Sequence, residues 1–188
     1  MGAATVSQWW GGEQSLRRTI PLRRAAPGEE DTITLFDLSL QALSWRQVDF
    51  GGVVVVGLIA GYVMELVGLW AGTVPGLVSF DIADYGRRYM ISDRPSAWLL
   101  GLASHLANSI LLVLVWAMVI LPNLGWPRPL VGLLWGEFLA VVLAGALVVP
   151  RTGLGFMGLK TGNPRLAITN ILLHAVWGLI IGLLYVPL

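Results

Sequence analysis

Four ionisable side chains fall well inside apolar stretches of this sequence: Glu65, His105, Glu137 and His174. Such groups are costly in hydrocarbon and normally face the interior of a helix bundle. Each histidine has an amide one helical turn away, Asn108 beside His105 and Asn170 beside His174. Two chemistries fit this set. A neutral imidazole is an ordinary axial ligand, so two at matched depth on facing helices suit a bis-histidine haem b, and one alone suits the magnesium of a (bacterio)chlorophyll. Gly101 and Gly178, each four residues from a histidine, would let a flat macrocycle approach. Alternatively Glu65, His105, Asn108, Asn170 and His174 form a hydrogen-bonded polar cluster that fixes helix packing. An ion or quinone site is a third use of the same residues. The pattern requires no cofactor, and no spacing of ligands suggests a protein-held metal ion.

The elements that must position these residues are four apolar runs, at about 51–72, 98–121, 131–149 and 167–187. Each is long enough to cross a hydrocarbon core of ~30 Å as an α-helix. Trp70, Trp98, Trp126 and Tyr185 stand near their ends, where aromatic side chains favour the membrane interface. The expected fold is an all-α membrane protein, a four-transmembrane-helix bundle with short interfacial amphipathic helices. Glu65, His105 and His174 then share one depth, roughly 10 Å from the same surface at 1.5 Å rise per residue. Glu137 lies nearer the other surface. Between spans one and two, Val78, Ile82, Tyr85 and Tyr89 recur at helical spacing while Asp81, Asp84, Arg87 and Arg88 occupy other faces, the pattern of a helix lying at the interface. Pro75 aligns with Pro150 and His105 with His174 when the first two spans are laid on the last two, an arrangement compatible with two repeated helix hairpins. GxxxG spacings at Gly57/Gly61, Gly132/Gly136 and Gly178/Gly182 permit close helix contact.

The division is a polar N-terminal tail with an interfacial helix at 1–48 and a four-helix domain at 49–188. The tail is rich in Gly and Arg, carries Trp9 and Trp10, and reads as a segment that orders on a partner. Residues 32–46 place Leu35, Phe36, Leu40 and Leu43 on one helical face, a helix at the membrane surface. No apolar leader core precedes the first span.

Composition excludes other classes. Of 188 residues 56% are hydrophobic and 12% charged, with a mean hydropathy of +0.74. Soluble domains carry about 25% charged residues. The absence of cysteine removes disulfides and thiolate chemistry, and a formal charge of +1 argues against nucleic-acid binding. No GxSxG, HExxH or phosphate-loop motif is present, so the chain reads as a non-enzyme with no catalytic residues.

Taken together, GLIAGYVMELVG in the first span, FDIADYG after it, GLASHLAN in the second, VVPRTGLGF after the third and LLHAVWGLIIGLLY in the fourth resemble a family of bacterial four-helix inner-membrane proteins, loosely YagU-like, over residues 52–187. The resemblance implies the fold and an inner-membrane location but no reaction, and it marks His105, Pro150, Gly153, Gly155, His174, Gly178 and Gly182. The longer, Arg-rich tail departs from it and suggests docking. The expected function is a non-catalytic accessory or structural subunit of a larger bacterial energy-transducing membrane complex, respiratory or photosynthetic. It would dock on other integral membrane subunits through its tail and Gly-rich helix faces, and carry bound lipids. A small b-type cytochrome or pigment-binding subunit and a small transporter are the alternatives. Six basic residues fall on each side of the spans, so charge leaves the orientation open. A long polar tail is easier to leave in the cytoplasm, which places both termini there.

Overall fold

The structure, a computed structural model, describes residues 41–188 apart from 91 and 93. The expected docking tail, and most of the expected surface helix at 32–46, lie outside the described residues. Four helices are long and apolar enough to cross a membrane: α1 (Phe50–Thr73), α3 (Pro95–Asn123), α4 (Arg128–Arg151) and α5 (Arg165–Leu184). A short helix, α2 (Ile82–Tyr89), sits between α1 and α3. All regular structure among the described residues is helical. The chain is thus an all-α, multi-pass membrane protein.

Glycine decides which helices touch. A Cβ on Gly57 would come within 2.7 Å of the Ile110 Cα, and one on Gly61 within 3.0 Å of Ser109, so α1 and α3 meet backbone to backbone. On α4, a Cβ on Gly132 would overlap the Gly178 carbonyl oxygen, and one on Gly136 the His174 carbonyl oxygen. The reciprocal overlap occurs at Gly178 and Gly182. All three GxxxG spacings therefore lie in helix contacts, where lipid supplies no hydrophobic drive and close packing must. α5 also packs on α1. The order across the bundle is α3, α1, α5, α4, with α3 and α4 as outer helices.

Both outer helices widen near one end. α3 makes a π-helical turn over Trp116–Ile120, just before Pro122, and α4 does so over Ala140–Val148, just before Pro150. A proline ring collides with the carbonyl four residues back, here that of Met118 or Ala146. Each of those residues lies inside the wide turn, which relieves the collision without ending the helix.

The two connectors on the α2 side tuck inward. The Phe80 amide donates to the Gly68 carbonyl at 2.8 Å, folding the chain back along α1. The Val78 amide reaches Thr169 Oγ1 on α5 at 3.1 Å. In the second connector Met157, at φ +52°, is buried with its sulfur against Gly145. At the opposite end Arg128 donates to the Tyr185 carbonyl, placing a cation at the C-terminus of α5, where the helix dipole favours it.

Candidate functional site

The helix α2 is held at its N-terminus by two carboxylates. Asp81 accepts from the Asp84 amide at 2.7 Å and from Trp98 Nε1 at 3.0 Å. Glu65, only 2% exposed, accepts from the Ala83 amide through Oε2 at 3.2 Å. Free amides at a helix start need acceptors, and this pair supplies them from the preceding residue and from within α1. The body of α2 lies on the start of α3, where a Cβ on Gly101 would overlap the Ala83 carbonyl oxygen. Its far end reaches α4, with the Arg151 guanidinium 5.3 Å from the Tyr89 ring centre. The helix expected over this segment is thus present and bridges the outer helices. Tyr85 stacks on Phe80 at 4.4 Å, and burial pushes its phenol above the ordinary value of 10.0.

Beneath α2 is a cavity of about 320 Å³. α3 and α4 touch toward their connecting loop, where Trp135 Nε1 donates to the Leu112 carbonyl at 3.2 Å. Toward α2 they separate, and the cavity fills the gap. α3 contributes Ser104, His105, Asn108 and Ser109 to its wall, α5 contributes Asn170, His174 and Trp177, and α4 contributes the apolar Leu139, Leu143, Ala144 and Val148. Tyr85 and Tyr89 close it from α2. Leu111 also lines the cavity yet is 55% exposed on the outer surface, so the space reaches the lipid side of the seam.

Each imidazole is anchored to a backbone carbonyl. His105 Nε2 bonds the Gly61 carbonyl of α1 at 3.0 Å, and His174 Nδ1 bonds the Asn170 carbonyl at 2.9 Å. Asn170 Nδ2 donates to the Ala140 carbonyl at 3.0 Å, at the start of the wide turn in α4. Ser109 donates to the Gly57 carbonyl at 2.7 Å and accepts from Trp177 Nε1 at 2.7 Å, joining α1, α3 and α5.

Of the residues singled out in the sequence, His105, Asn108, Asn170 and His174 are brought to one cavity. Glu65 is not, because its side chain is buried against the start of α2. Glu137 also lies outside the lining. The two glycines expected to admit a macrocycle are occupied: Gly101 by the backbone of α2 and Gly178 by that of α4. These two glycines therefore serve helix contacts and make no room for a flat ring. Sequence reasoning passed over Ser104, Ser109 and Trp177. Ser104, His105, Asn108 and Ser109 form a polar stripe at i, i+1, i+4 and i+5 of an otherwise apolar helix, and that stripe was the available signal.

The fold and cavity define a class, a four-span helical membrane protein with a largely apolar pocket that carries a few polar groups inside its bundle. No family model, curated protein or solved structure matches the chain.

Proposed function

We propose that this chain is a non-catalytic subunit of the bacterial inner membrane that holds a small, largely apolar molecule taken from the bilayer. The carrying observation is the convergence of His105, Asn108, Asn170 and His174, from opposite hairpins, on one 320 Å³ cavity that reaches the lipid side. A pocket of mainly apolar wall with a few convergent polar groups is the usual form of a small-molecule site. An apolar cavity of about 150 Å³ holds benzene, so this one has room for a substituted ring. Work as an accessory subunit of an energy-transducing complex agrees with the small size and the absence of catalytic motifs. The YagU-like resemblance agrees with the location. In this reading the α2 face lies toward the cytoplasm, against the side first inferred from the tail.

The test is mass analysis of organic extracts of the purified full-length protein, wild type against Ala144→Trp, which fills the cavity from α4. A stoichiometric small molecule in the wild type that is lost in the variant supports the reading. No such molecule, together with no saturable uptake from a bacterial lipid extract, overturns it.

A further inference from the structure

The hydrogen bonds around the cavity restrict the chemistry of its occupant. A carbonyl oxygen only accepts, so the nitrogens that meet Gly61 and Asn170, His105 Nε2 and His174 Nδ1, carry the ring protons. In a neutral imidazole the other nitrogen is then a bare acceptor. Among the described residues neither His105 Nδ1 nor His174 Nε2 has a hydrogen-bond partner. The enclosed unpartnered side-chain atoms are Glu65 Oε1 and Trp116 Nε1, so both imidazole acceptors are reached from open space, and both rings line the cavity. Asn170 spends its amide hydrogens on the Ala140 carbonyl and the Met157 sulfur, leaving Oδ1 as a third acceptor.

Ser104, Asn108 and Tyr85 also line the space, and each of them donates or accepts as its partner demands. The imidazoles have no such freedom. We infer that the cavity selects a molecule that donates hydrogen bonds, a hydroxyl-bearing ring of the dihydroxybenzene class, over one that only accepts, such as the corresponding quinone. This rests on the reading of the cavity as a ligand site and specifies which ligand it takes. The cost of mismatch is asymmetric. A carbonyl set against an imidazole acceptor leaves both unpaired in a dry site, whereas a hydroxyl pairs with it.

The experiment uses the full-length protein in nanodiscs under anaerobic conditions. Binding of 2-decylhydroquinone, 2-decylbenzoquinone and the dimethyl ether of the hydroquinone is measured by equilibrium partition against empty nanodiscs. The expected order is hydroquinone tightest, by roughly tenfold or more over both others, as two hydrogen bonds imply. In His174→Gln, whose amide rotates to accept or donate, the preference shrinks while binding persists. Equal or tighter binding of the quinone overturns the donor inference and leaves the cavity reading standing. Ligands that all partition no better than into empty nanodiscs overturn the donor inference too, and the extract assay then decides separately whether the cavity holds anything else.

Discussion

At the residue scale, the bond most exposed to a simple test is the one from Trp177 to Ser109. The serine is 3% exposed, and its hydroxyl both receives the indole N–H and donates to Gly57. Ser109→Ala leaves the buried indole N–H without its acceptor, so it should cost about 1–3 kcal/mol. Trp177→Phe in the same background removes the stranded group, and the double variant should lose less than the sum of the two single losses. Thermal unfolding of the three variants in one detergent measures this, and strict additivity would show that the hydroxyl does not serve the indole. Glu65 offers a second test. Glu65→Gln keeps an oxygen facing the Ala83 amide and should preserve the docking of α2, whereas Glu65→Leu removes the acceptor and should release it. Protease cleavage at Arg87 or Arg88 reports the difference, and equal resistance in both variants would show that Glu65 does not hold the helix.

At the scale of elements, the glycine contacts make the sharpest demand. Gly178→Ala sets a methyl group against the Gly132 carbonyl, and backbone meets backbone there with no flexible side chain to yield. A loss on the order of 1–3 kcal/mol, as for overpacking, should lower the unfolding midpoint. Gly125→Ala, with nothing within 4 Å, should leave it in place. α2 brings a pH dependence. Burial raises the Tyr85 phenol, so the folded state holds that proton more tightly than the unfolded chain does. The contribution is complete below the ordinary value of 10.0 and is lost as pH rises through the higher folded value. Tyr85→Phe should therefore flatten the alkaline fall in unfolding temperature relative to wild type, and parallel profiles would refute it. The four spans were legible in the sequence because twenty apolar residues between Pro, Gly or charged ends have few other uses. α2 was legible from its spacing of Ile82, Tyr85 and Tyr89. The partners of the glycines were not, since a GxxxG spacing states that a close contact is possible but not with what. Nor was the turn of Glu65 away from the histidines: equal depth in the membrane follows from counting residues, but the face to which a side chain points depends on what the next connector brings back.

At the scale of the whole molecule, the fold changes how the charges are counted. Arg87, Arg88, Arg94, Arg151, Lys160 and Arg165 belong to the two connectors on the α2 side or to the helix ends beside them. On the other side, near the spans, stand only Arg46 and Arg128 among the described residues. The sequence count was even because it included Arg17, Arg18, Arg23 and Arg24, yet the nearest of these, Arg24, precedes Phe50 by 26 positions. The bias that orients membrane helices acts within about 15–20 residues of a span. Counted within that reach, six basic residues face two, and the rule then predicts the α2 side in the cytoplasm, with Leu188 and the 124–127 connection on the outer face. Because the chain has no cysteine, single substitutions report sidedness without background. Gly125→Cys should react with a membrane-impermeant maleimide on intact cells, and Lys160→Cys only after the membrane is opened; the reverse pattern would return both termini to the cytoplasm and show that the distant arginines, or the tail as a polar mass, govern insertion. The same experiment bears on the cavity. Its polar wall lies in the half of the bundle beneath α2, so the sidedness of Lys160 also fixes the leaflet from which a membrane-dissolved ligand reaches His105 and His174.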